Sequence, residues 1–94
     1  MRPLDPHRVT RWVGGRVATR RRAFGLTQEE LAERLDVSLK YLQRIEAGHE
    51  NLTIHSMVTL ANALDVAPSY LLRPRSSTRP KPGRPRKKRN AKKR

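Results

Sequence analysis

Lys40 and Arg44 stand four residues apart in a stretch that reads as a helix, so both project from one face. That pairing suits the groove of a nucleic-acid duplex. Either side chain can donate to O6 and N7 of guanine, and the planar arginine fork can do so through two hydrogen bonds at once. A second concentration of donors lies near the end of the chain, where Lys81, Arg84, Arg86, Lys87, Lys88 and Arg89 crowd together without an acid. Its partner must be polyanionic: nucleic acid, anionic lipid or acidic protein. Other chemistry is missing. There are no cysteines, hence no disulfides, thiolate metal sites or cysteine nucleophiles. His7, His49 and His55 have neither metal-ligand spacing nor cysteine partners and read as surface or loop residues. No paired carboxylates, Ser/His/Asp set or phosphate loop is visible, so no enzyme, cofactor or metal centre is expected.

The positive charge is unevenly placed. The 94 residues carry a net +14. Residues 1–73 hold eleven Lys or Arg against eight Asp or Glu, a net of +3, whereas residues 74–94 hold eleven and no acid, a net of +11. Residues 1–73 therefore read as one small folded domain with mixed surface charge. Residues 74–94, rich in Pro, Ser, Lys and Arg, cannot offset their ordering entropy by burial and are expected to be a disordered basic tail. The apolar stretches are only a few residues long and no apolar signal core opens the chain, so a cytoplasmic protein without a membrane span is expected.

Short helices must hold Lys40 and Arg44 in place. Asp5-Pro6 reads as an N-cap followed by proline at the first helical position, with Val9, Val13, Val17 and Phe24 near one face and Gly25 as the stop. Gly14-Gly15 weakens this helix at its centre, where a bend or a fresh start is expected. Thr27-Gln28-Glu29-Glu30 satisfies the capping-box pattern for a second helix with Leu31, Ala32 and Leu35 inward. Asp36-Val37 is the turn, and Ser38 caps a third helix with Leu42 and Ile45 inward, ending at Gly48. Thr53 caps a fourth, carrying Ile54, Met57, Leu60, Ala61 and Leu64, and Pro68 opens a short fifth with Leu71 as its core contact. No segment alternates with period two for long enough to make a strand. The expected fold class is all-α with five helices, and residues 27–47 form a helix-turn-helix unit. Ala32 lets the two helices of that unit cross closely.

The stretch from Leu26 to Gly48, LTQEELAERLDVSLKYLQRIEAG, resembles the Cro and phage-repressor class of helix-turn-helix proteins, the XRE family. The resemblance runs without gaps from about Val13 to Leu72 and includes the later LANAL and LL. It implies a lambda-repressor-like domain in a bacterial or phage, nucleoid-associated setting. By position it implies that Ser38, Leu39, Lys40, Gln43 and Arg44 are the exposed recognition-helix residues that enter the major groove of DNA. Leu39 offers only apolar contact, such as to a thymine methyl, and Tyr41 is placed to touch the DNA backbone. Gln28, at the start of the second helix, matches a glutamine that contacts a DNA phosphate and braces the next helix, and the capping residue Thr27 beside it is counted among the DNA-binding residues. Arg21 and Glu46 match a partly buried structural ion pair. Asn51 lies in a loop whose backbone amides meet phosphate in relatives. Glu50 departs from that pattern, because an acid near phosphate is unfavourable; it is expected to point away or to weaken the contact. Asp36 and Asp65 stand where many relatives carry glycine, at sites that often need positive φ.

Lys81-Pro82-Gly83-Arg84-Pro85-Arg86-Lys87 resembles an AT-hook, whose Arg-Gly-Arg-Pro core lies in the minor groove of A·T-rich DNA. Pro82 replaces the first core arginine, so a hook and a plain polycation both stay open. The whole reads as a sequence-specific regulator of transcription, bound as a homodimer to double-stranded DNA, with helix five, Tyr70 and Leu72 as its dimer surface. Two other readings stand beside it: an antitoxin whose main partner is a toxin, and an architectural nucleic-acid-binding protein driven by the tail.

Overall fold

Four helices begin on a residue whose side-chain oxygen takes up a free backbone N–H. In the computed structural model, which describes residues 3–74, α1 (Pro6–Ala23) starts from Asp5 and α2 (Gln28–Leu35) from Thr27. Helix α3 (Leu39–Ala47) starts from Ser38 and α4 (Ile54–Leu64) from Thr53. At α2 the capping box closes both ways: Glu30 N–H donates to the Thr27 hydroxyl at 3.0 Å, and Thr27 N–H donates to the Glu30 carboxylate at 2.8 Å. Helix α5 (Pro68–Leu72) has no side-chain cap and relies on Pro68, whose ring fixes a helical φ. Among the described residues there is no strand.

Helices α1 to α4 also stop alike. Gly25, Asp36, Gly48 and Asp65 adopt left-handed φ values of 72°, 59°, 81° and 57°. In each case the next residue's N–H returns to the carbonyl five positions back: Leu26 to Arg21, Val37 to Ala32, His49 to Arg44 and Val66 to Ala61. Leu26, Val37 and Val66 then pack against the core. His49, after α3, is exposed, so the end of that helix lacks the apolar anchor of the other three.

The core is a contiguous cluster of Val13, Val17, Leu31, Ala32, Leu42, Ile45, Leu60, Ala61, Leu64 and Leu71. Helix α1 packs on α3, α4 and α5, while α2 packs on α3 and α4. Three expectations need correction. Helix α1 runs unbroken through Gly14-Gly15, and Gly14 is buried against α3. A Cβ there would press on the carbonyl oxygens of Ile45 and, at 2.7 Å, Glu46, so the missing side chain is what lets the two backbones meet. Phe24 is 44% exposed; it sits past the last buried turn of α1, against the Arg20 guanidinium. Ile54 is 81% exposed, because as the first residue of α4 it precedes the turn that reaches the core. The tail candidates Lys81, Arg84, Arg86, Lys87, Lys88 and Arg89 lie outside the described residues.

Candidate nucleic-acid interface

Helix α3 has an inner and an outer stripe. Leu42 and Ile45 are buried in the core, whereas Lys40, Gln43, Arg44 and Ala47 are exposed at the spacing of one helical face. Ser38 caps the helix, its hydroxyl accepting from Tyr41 N–H at 3.0 Å. That leaves the hydroxyl hydrogen free for another acceptor. Leu39 is half-buried at the edge of the stripe. Tyr41 turns the other way, packing against the core beside Leu35, Val37 and Ile45. Lys40 is exposed, and among the described residues its ammonium makes no hydrogen bond or salt bridge.

Three polar side chains fix the seating of α3. Glu46 accepts from Arg21 Nε at 2.7 Å and from Arg21 Nη2 at 3.1 Å. The same carboxylate accepts from Gln28 Nε2 at 2.9 Å, and Arg21 Nη1 donates to the Leu26 carbonyl at 2.8 Å. One glutamate thus ties the C-terminal turn of α3 to the last turn of α1 and the first residue of α2. The Arg21 and Glu46 side chains are 10% and 6% exposed, so this is a nearly dry cluster whose charges are paired and hydrogen-bonded. Gln28 keeps a second amide N–H, and Thr27 stands exposed beside it. Helix α1 reaches the end of α3 once more, where the Thr10 hydroxyl donates to the Gly48 carbonyl at 3.0 Å.

Beyond Gly48 the chain folds back on the recognition stripe. Arg44 Nε donates to Glu50 Oε2 at 2.7 Å, and Arg44 Nη2 donates to the His49 carbonyl at 2.8 Å. Glu50, the acid expected to turn away or to weaken a phosphate contact, engages Arg44. Asn51 follows as an exposed loop residue. Sequence reasoning missed this pair, along with Thr10 and the packing role of Gly14. Among the described residues no group of three or more His, Cys, Asp or Glu could hold a metal ion. No helix there is long and apolar enough to cross a membrane.

A stripe of polar and basic groups on a short, rigidly seated helix can enter a major groove and donate to base edges. Comparison with known proteins agrees with that geometry. The sequence model of the Helix-turn-helix family HTH_3 matches residues 17–71. An uncharacterised HTH-type transcriptional regulator of Sinorhizobium fredii is 41% identical over 66 residues, covering 70% of this chain and 86% of the relative. An uncharacterised transcriptional regulator in an ATPase CF(0) region of Rhodospirillum rubrum is 39% identical over 64 residues, covering 68% of this chain and 59% of its own. Among solved structures, the restriction-modification controller protein C.AhdI from Aeromonas hydrophila superposes with a TM-score of 0.66 at 32% identity, over 72% of this chain and 99% of that one. A hypothetical transcription factor from Neisseria, at 24% identity and a TM-score of 0.70, shares the fold over 83% of this chain and 90% of its own.

Proposed function

The chain belongs to the helix-turn-helix family of DNA-binding transcriptional regulators, and from that premise we propose that it reads a specific duplex sequence with the outer stripe of α3. Lys40 and Arg44 donate to base edges, Gln43 and Ser38 add hydrogen bonds, and Leu39 meets a thymine methyl. Thr27, Gln28 and Asn51 hold phosphates and set the register, whereas Tyr41, packed toward the core, serves the seating of the helix. The observation that carries this reading is an exposed Lys40–Gln43–Arg44 stripe on a helix whose Glu46 is tied, on the inner side, to Arg21 of α1 and Gln28 of α2. A groove is read well by donors whose support does not move.

The protein acts as a homodimer on a two-fold site, with half-sites about 34 Å apart, one turn of the duplex. In support, Leu72 is 49% exposed and lies at the lip of an apolar groove of about 400 Å³ lined also by Leu4, Val9, Leu52 and Met57. Tyr70 is a lesser candidate for that surface than the sequence suggests, since its ring is occupied by the guanidinium groups of Arg16 and Arg73 at 4.8 and 5.3 Å. Residues 74–94, with eleven basic residues and no acid, add grip on phosphate through Lys81, Arg84, Arg86, Lys87, Lys88 and Arg89.

Selection from a randomised duplex library tests the proposal. The full chain is expected to enrich a two-fold sequence, and Arg44→Ala and Lys40→Ala are each expected to relax one position of it. Enrichment of no sequence, or variants that weaken binding to all duplexes alike, would show that α3 holds only backbone phosphate.

A further inference from the structure

Arginine offers five N–H donors in a rigid plane, and the two edges of that plane differ. In this protein the edge formed by Nε and Nη2 is already occupied, by Glu50 at 2.7 Å and by the His49 carbonyl at 2.8 Å. The other edge, Nη1 with the second hydrogen of Nη2, has no partner among the described residues, and the Arg44 side chain is 51% exposed. The clamp is built by the helix end itself. Gly48, at φ 81°, reverses the chain, and His49 N–H returns to the Arg44 carbonyl at 2.9 Å. Arg44 is therefore fastened to His49 through both its backbone and its side chain, where the ends of α1, α2 and α4 use an apolar residue. A Cβ on Gly48 would fall 2.8 Å from Arg11 Cα, so α1 presses this turn into place.

We infer that Glu50 is a specificity-determining positioning residue, which holds one edge of the Arg44 guanidinium so that only the opposite edge meets the bases. The inference rests on the reading of α3 as the DNA-reading helix. Two physical consequences follow from the clamp. Arg44 arrives with its plane set, so less freedom is lost on forming a paired contact to guanine O6 and N7. An Arg44 that swings to a phosphate instead must release Glu50 and leave that carboxylate facing the DNA backbone, which penalises binding at the wrong sequence. Glu50 thereby lowers affinity for arbitrary DNA and raises the preference at one base pair. An acid beside a recognition helix acts here as a discriminator.

The test uses the full chain, the duplex it selects from a randomised library, and that duplex changed at the one base pair whose preference Arg44→Ala abolishes. Glu50→Ala is expected to cut the preference at that pair by roughly tenfold and to raise affinity for unrelated duplex severalfold. Glu50→Gln, which keeps an acceptor for Nε and loses the charge, is expected to retain most of the preference while still binding unrelated duplex more tightly. Glu50→Ala that tightens binding to every duplex with the preference intact would make Glu50 a simple brake and overturn the inference. A lower melting temperature with unchanged preference would make it only a brace of the turn, with the same consequence. A Glu50→Gln variant as indiscriminate as Glu50→Ala overturns the hydrogen-bonded clamp. Should the wild-type chain select no duplex at all, the assignment of α3 fails first and the inference with it.

Discussion

Arg21–Glu46 and Arg44–Glu50 share the same 2.7 Å contact between an arginine Nε and a carboxylate oxygen, on opposite sides of one helix. Their surroundings separate them. The first pair is nearly dry, with both side chains at or below 10% exposure, and it is joined by Gln28 and the Leu26 carbonyl. The second is open to water, at 51% and 25%. Removing one partner from a dry pair strands a charge in low dielectric, whereas an exposed pair is screened and contributes about 0–1 kcal/mol. Identical chemistry therefore does two jobs. The inner pair fixes where α3 sits, and the outer pair is free to engage a ligand because little of the fold depends on it.

The largest effect is expected at Glu46. Glu46→Ala is expected to destabilise the fold by about 3–5 kcal/mol in urea denaturation, since it leaves the Arg21 guanidinium with only the Leu26 carbonyl. Replacing both partners, Arg21→Met with Glu46→Leu, is expected to recover most of that loss, which separates the cost of a stranded charge from the worth of the pair. Next in size is Gly14→Ala. Its methyl group must displace backbone carbonyls of α3, so about 1–3 kcal/mol of stability is expected to go, together with DNA affinity as the helix shifts. Arg44→Ala reverses the pattern of Glu46→Ala: a change in stability within about 0.5 kcal/mol by denaturation, but a loss of about 1–3 kcal/mol on the selected duplex by titration. Smallest is Asp36→Gly. It relieves a left-handed non-glycine residue at φ 59° but frees the unfolded chain, for a net stabilisation of about 0.5 kcal/mol seen as a higher melting temperature.

How much of this was legible in the sequence depended on how local each cause is. The capping box at Thr27 and Glu30, the caps at Ser38 and Thr53, and the inward Leu42, Ile45, Leu60 and Leu64 are set within a few residues, and all could be read in advance. The turns at Asp36 and Asp65 were legible through resemblance, and both have the positive φ expected. Gly14 was misread because local propensity sees a helix breaker, while its value lies in a neighbour more than thirty residues away. Phe24 and Ile54 fit the apolar period yet fall on the end turns of their helices, where the period no longer points at the core. The Arg44–Glu50 contact spans six residues across a left-handed turn, a geometry that no helical period encodes. Its only advance sign was the acid itself, in a loop next to a basic stripe.

We propose that the folded domain, not the basic extension, chooses the sequence. The decisive measurement is a titration of residues 1–74 and of the full chain, side by side, on the selected duplex and on a scrambled duplex of equal composition. The shorter chain is expected to bind more weakly yet keep the ratio between the two duplexes, with a salt dependence shallower by about 0.9 for each phosphate that the extension neutralises. Equal, weak binding of both duplexes by residues 1–74 would contradict the proposal.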